Sequence, residues 1–206
     1  MVLDTVAMTD SLAPNLEDFL QFRSYLYLLA RSHIRARHRT RLDPSDIVQQ
    51  TLLDACAKHD QFRGTTSAER MAWLKRILAN NLADAVRGLT RAKRDVSRER
   101  PLETQVSDSF ARVEGWLAAV QSSPSQQALR SEDLLRLADS LSSLPESQRE
   151  AIVLHHLQGL PLADISQQLG KTPAAVAGLL HRGLKQLREL LSSGCTSVPS
   201  IEQRSP

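Results

Sequence analysis

Two sets of polar residues have the types and spacing to hold a polyanion and read the edges of bases. Arg76, Asn80, Asp84 and Arg87 follow one another at intervals of four, four and three, which on an α-helix puts them on one face. Guanidinium groups hold phosphates or read guanine, and the Asn amide matches the donor–acceptor pair of adenine, so a face that mixes them suits nucleic acid. The second set is Lys171, Thr172, His181, Arg182 and Lys185, spread with Ala174, Ala177 and Gly178 along the outer side of a helix. The helix N-terminus beside Lys171 and Thr172 favours phosphate, and Arg182 and Lys185 can reach phosphates or base edges. The plain alternative for both sets is a solvated helix surface.

A third constellation, His155-His156 with Glu150 and Asp164, invites an acid–base or metal reading. Adjacent histidines point about 100° apart on a helix and cannot share a metal as an i, i+4 pair does. No Gly-rich phosphate loop or nucleophile elbow accompanies them. Cys56 and Cys195 show neither metal-ligand spacing nor a disulfide framework. The expectation is a protein that is not an enzyme, with no catalytic residue, metal or cofactor.

The elements that position these residues read as helices. Aromatics are only 4% of the chain, and no run of alternating β-branched and aromatic residues reads as a strand. The fold class expected is all-α. Phe19, Phe22, Leu26 and Leu29 form one helical stripe that His33 continues. Asp43 caps the next helix, with Pro44 at its first position, Asp46 in its first turn, and Ile47, Thr51, Ala55 and His59 at helical spacing. Gly64-Thr65-Thr66-Ser67 breaks the pattern. A third helix follows from about 68 to 87 with Leu74, Ile77, Leu78, Leu82 and Ala85 inward, and Gly88 either ends or interrupts it. After a change of character over 101–133, where Ser122-Ser123-Pro124-Ser125-Gln126-Gln127 reads as linker and Phe110, Val113, Trp116, Leu117 and Val120 suggest a short amphipathic helix, the last unit begins near Leu134. Leu134, Leu137 and Leu141 form a stripe, Pro145 opens a second helix, and Gly159 ends it left-handed. Leu162–Leu169, Gly170, then Thr172 capping and Pro173 opening a helix to about Leu191, make a helix-turn-helix. Small Ala163 is expected to let its two helices approach.

Charge is segregated. Residues 31–100 carry 16 basic and 8 acidic side chains, while 1–30 carry one and four, and 101–133 two and five. A basic block between acidic flanks points to a polyanionic partner. Arg31, Arg35, Arg37, Arg39 and Arg41 add phosphate affinity without sequence preference. The first 15 residues read as a loose leader without signal-peptide character, and no stretch of about 18 apolar residues could span a bilayer. The expected setting is cytoplasmic, with no membrane insertion.

Two blocks then carry a resemblance. Asp46-Ile47-Val48-Gln49-Gln50-Thr51, Phe62-Arg63, Trp73-Leu74-Lys75-Arg76-Ile77 and Asn80-Asn81-Leu82-Ala83-Asp84 resemble conserved region 2 of sigma-70 family factors. Leu144-Pro145, Arg149-Glu150-Ala151, Leu162-Ala163-Asp164-Ile165, Leu169-Gly170, Val176 and His181-Arg182-Gly183-Leu184-Lys185-Gln186-Leu187-Arg188 resemble region 4. Their order and the linker between them match the small two-domain group, the extracytoplasmic function (ECF) sigma factors. The resemblance implies a region 2 domain at 15–100, a linker at 101–133, a region 4 domain at 134–192 and a tail at 193–206. It implies a transcription initiation factor that binds core RNA polymerase, through the largest and second-largest subunits, and promoter DNA, with room for an anti-sigma factor. By position, Asp46, Gln49 and Gln50 contact polymerase. Phe62, Arg63, Arg76, Asn80, Asp84, Arg87 and Arg91 meet the −10 element, with the loop 60–67 as a pocket for a flipped-out base. Lys171, Thr172, His181, Arg182 and Lys185 meet the −35 element. Ala177, Gly178 and Leu179 stand where the family often has polar residues, so no −35 sequence follows.

Two other readings compete. A stand-alone helix-turn-helix regulator would bind duplex tightly by itself, usually as a dimer, and has no use for the polar face of Asp46, Gln49 and Gln50. A helical adaptor would leave the basic stretch Arg87–Arg100 unexplained.

Overall fold

The computed structural model describes residues 17–34, 41–92 and 127–193, and among these every regular element is helical. The Arg35–Arg39 cluster, the helix expected around Phe110–Val120, the leader and the tail lie outside the described residues. A turn of helix at 17–20 leads into α1 (Arg23–His33). Then come α2 (Pro44–Ala57), a 3-10 turn (His59–Gln61) and α3 (Ser67–Ala92). The second group is α4 (Gln127–Ser142), α5 (Glu146–Ile152) running into a π-helical turn (Val153–Leu157), α6 (Leu162–Leu169) and α7 (Pro173–Ser193).

The start of α2 is built as its sequence demands. The Asp43 carboxylate accepts from the Ser45 amide at 2.8 Å, and Pro44, which has no N–H to leave unsatisfied, opens the helix. The third helix runs five residues beyond the expected 87, through Gly88 to Ala92. A lone glycine costs a helix only about 1 kcal/mol, and Gly88 meets no neighbour that would demand a break. Helix α4 begins at Gln127, inside the stretch that reads as linker and ahead of Leu134.

Helix α1 departs most from its sequence reading. Phe22, Leu26 and Leu29 are buried as one stripe, but Tyr25, Leu28 and Ala30, off that stripe, are buried too. The reason is that α1 packs against α2 and α3 on one side and against α4 and the π turn on the other. A helix apolar around most of its circumference must be covered around most of its circumference. One continuous apolar core results, from Phe19 through Leu74 and Leu137 to Leu187. Across this boundary Arg31 forms an ion pair with Glu150, and Gln158 Nε2 donates to the Arg31 carbonyl at 3.1 Å.

After Ile152 the α5 helix widens into the π turn, marked by Gln158 N donating to Val153 O at 3.0 Å. The widened turn lets Val153, Leu154 and Leu157 all reach the core, and Gly159 closes it at φ 71°.

Candidate nucleic-acid interface

Helix α3 presents Arg76, Asn80, Asp84 and Arg87 as an exposed face, while Met71, Leu74, Ile77, Leu78 and Leu82 are buried. Asp84 and Arg87 pair with each other at 2.6 Å, with both side chains open to solvent. Arg91 lies within the last turn of the helix, but its side chain is outside the described residues. Asn81 separates from its neighbour: its Nδ2 donates to Thr51 Oγ1 of α2 at 3.3 Å, so it belongs to the helix interface and Asn80 to the surface.

The loop between the 3-10 turn and α3 is tied at both ends. Phe62 packs on Trp73, ring centroids 5.2 Å apart, and the Arg70 guanidinium carbon lies 5.7 Å from the Phe62 centroid. Trp73 also meets Phe19 at 5.9 Å. Phe62 is therefore half-buried in an aromatic group. The chain at Gly64 runs so close over this ring that a Cβ there would fall 2.6 Å from Phe62 Cζ and 2.8 Å from Glu69 Cβ. Arg63 beside it is exposed. At the other end, Glu69 Oε2 accepts from the amides of Thr65 (2.9 Å) and Thr66 (3.0 Å) and from the Thr66 hydroxyl, while the Glu69 amide donates back to Thr66 Oγ1 at 3.2 Å. This is a reciprocal cap, and those hydrogen bonds, the backbone donors of Thr66 and Thr65 first, hold the Glu69 carboxyl below its ordinary pKa. The signal was legible as Thr66-x-x-Glu69.

On α2, Asp46, Gln49 and Gln50 are exposed on one flank while Ile47, Val48, Thr51 and Leu52 are buried. Gln50 Nε2 donates to Asp54 Oδ1 one turn on, at 2.8 Å. Leu53 stands exposed between these polar groups. Cys56, on the inner side, is buried, and burial pushes its thiol pKa up.

The helix-turn-helix forms as its spacing requires. Gly170 caps α6 at φ 61°, the Lys171 amide returns to Ser166 O at 3.0 Å, and Thr172 Oγ1 accepts from the Ala175 amide at 3.2 Å before Pro173 opens α7. Lys171, Thr172, His181, Arg182 and Lys185 are all exposed, and Val176 and Leu180 are buried. The Arg182 guanidinium lies along the surface over Gly178, 3.2 Å from where a Cβ would stand. On the inner side Gly183 lets α7 close onto α5, since a Cβ would meet Ile152 Cδ1 at 2.9 Å. Ala163 is a correction: it is exposed, and Ile165 and Ser166 make the buried face of α6. The close approach of helices in this unit is made at Gly183.

His155 and His156 sit on the π turn with ring centroids 4.8 Å apart. His155 Nδ1 lies 3.1 Å from the Leu160 carbonyl. Burial first, then His155, lower the pKa of His156. Glu150 forms an ion pair with Arg31. Among the described residues no group of three or more His, Cys, Asp or Glu side chains could hold a metal ion, and no helix is long and apolar enough to cross a membrane.

Comparison with known proteins bears on both blocks. The family model for sigma-70 region 4 matches residues 134–187, which run from within α4 through most of α7. The ECF RNA polymerase sigma factor SigD of Mycobacterium tuberculosis H37Rv is 29% identical over 165 residues, covering 80% of this chain and 71% of SigD. The RNA polymerase sigma-E factor of Streptomyces avermitilis is 26% identical over 189 residues, covering 90% and 93%. Among solved structures, the sigma factor RpoE of Bartonella quintana, crystallised with the anti-sigma factor NepR, is 26% identical with a TM-score of 0.33, over 85% of this chain and 95% of that one.

Proposed function

We infer that the chain is a member of the ECF group of the sigma-70 family and a transcription initiation factor. It binds core RNA polymerase, directs it to −35 and −10 promoter elements and assists strand separation. The observation that carries this is the coincidence of the region 4 match with a formed helix-turn-helix, in a chain whose relatives align across the N-terminal block as well.

The roles proposed for the residues come from the resemblance, and their exposure and chemistry support them. Asp46, Gln49 and Gln50 form a polar flank on a helix whose other sides are buried, suited to docking on polymerase. Arg76, Asn80, Asp84 and Arg87, with Arg91 beyond them, line α3 for the −10 element, and Phe62 and Arg63 lie at the loop where a flipped base would arrive. Unstacking a base costs a few kcal/mol; a basic groove together with aromatic side chains offsets it in single-strand sites. Lys171, Thr172, His181, Arg182 and Lys185 face the −35 duplex. A domain division, with units at 15–100 and 134–192 joined through 101–133, is part of the same reading.

The test is reconstitution. Full-length protein is added to core polymerase and the transcripts started on genomic DNA are mapped. New, discrete start sites are the expected result. Tight duplex binding without polymerase, and no new start sites with it, would favour a stand-alone regulator instead.

A further inference from the structure

We propose that the hydrogen bond between Thr51 and Asn81 is a positioning device, which sets the register of the −10-binding helix α3 against the polymerase-docking helix α2. The inference deepens the function above and rests on it.

Thr51 is completely buried on the inner side of α2. Its hydroxyl donates to the Ile47 carbonyl at 2.7 Å. A hydroxyl has one proton, so with that proton committed the oxygen faces Asn81 as an acceptor, and the Asn81 amide must turn its NH2 toward it at 3.3 Å. The rest of what these helices bury is apolar, as with Val48 and Leu52 on α2 and Leu74 and Leu78 on α3. Apolar contact is non-directional and tolerates small slides and rotations. A hydrogen bond weakens steeply outside a narrow range of distance and angle, so this pair adds the directional restraint.

Both ends of the pair adjoin functional faces. Thr51 follows Gln50 directly, and Asn81 follows Asn80 and lies one turn before Asp84. A rotation of α3 that broke the bond would carry Asn80, Asp84 and Arg76 around with it, because they share one rigid helix. Thr51 and Asn81 touch neither DNA nor polymerase in this scheme. They act through α2 and α3.

The test uses full-length protein with core polymerase, at the strongest start site mapped with the wild type. Thr51→Val keeps the shape and removes the hydroxyl, Thr51→Ser restores it, and Asn81→Ala removes the donor from the half-exposed side. Polymerase affinity is measured by fluorescence titration and strand opening by permanganate reactivity of unstacked thymines. Thr51→Val and Asn81→Ala are expected to bind polymerase within about twofold of wild type and to open about three- to tenfold less DNA, as loss of one hydrogen bond would give. Thr51→Ser is expected to open DNA within about twofold of wild type. Asn81→Ala carries the test if the buried valine disturbs folding. Opening that matches wild type in these variants, loss of polymerase affinity and opening in equal proportion, or no recovery with serine each overturn the proposal. A wild-type protein that neither binds polymerase nor directs starts overturns the function itself, which is a separate result.

Discussion

Truncating Arg31 and Glu150 to alanine, singly and together, measures how firmly the N-terminal and C-terminal helices are joined. Their ion pair spans the boundary between α1 and α5, and the two side chains retain only 20% and 14% of their exposure. An exposed pair contributes about 0–1 kcal/mol, whereas breaking a fully buried one costs about 3–5 kcal/mol. At this burial a coupling of about 1–2 kcal/mol is expected, between those limits. The Gln158 bond goes to the backbone of Arg31 and survives either truncation, and contacts that either side chain makes independently to third groups cancel in the cycle. Urea unfolding followed by circular dichroism, on wild type, both single variants and the double, closes the cycle. Arg31→Glu combined with Glu150→Arg should recover at least half of the loss caused by Arg31→Glu alone. Additive single losses, within about 0.3 kcal/mol, together with no recovery on swapping, would show that the two groups of helices do not meet at this pair in solution.

Other expectations follow from individual side chains. Arg182→Ala and Lys185→Ala should each weaken promoter binding by the reconstituted polymerase and lower the salt slope by about one unit per lost phosphate contact; an unchanged slope removes them from the interface. Asp46→Lys should reduce polymerase affinity while leaving the thermal midpoint within about 2 °C, the size expected of a surface change; binding equal to wild type would misplace the docking face. Because hydrogen bonds lower the folded pKa of Glu69, its stabilisation is complete above the unfolded carboxyl value and fades as pH falls through the lower folded one. Glu69→Gln should therefore flatten the stability curve on the acid side, below about pH 4.5, and identical slopes for the two proteins would contradict this. Gly170→Ala meets no neighbour within 4 Å but must hold φ 61°, so it should cost about 1–2 kcal/mol of conformational strain; an unshifted melting temperature would refute it.

Much of the local structure was legible where a residue's chemistry dictates backbone geometry. Asp43-Pro44 fixes the start of α2, Gly159 adopts the left-handed conformation expected of it, and Gly170 ends α6 where expected, also at positive φ. The exposed faces of α3 and α7 followed from helical periodicity, which reports burial directly. What was not legible depends on contacts distant in sequence. The burial of Tyr25 and Leu28 reflects a second wall supplied more than a hundred residues later, which no window on α1 contains. Asn80 and Asn81 look equivalent in sequence, and only the packing of α2 sends one inward. The π turn arises from the demand to bury Val153, Leu154 and Leu157 together, which no capping signal announces. Ala163 was read as a contact because it is small, but small residues also tolerate exposure, and here the tight contact is at Gly183.

The loop from Asp60 to Ser67 has a consequence for how a ligand would be met. With Gly64 pressed over the Phe62 ring and Thr66 hydrogen-bonded to Glu69, part of the segment's conformational freedom is given up on folding. If the loop receives a strand, as proposed, that strand does not have to freeze it, and the saving, about 1–2 kcal/mol for each backbone residue already fixed, enters the association constant without any additional contact.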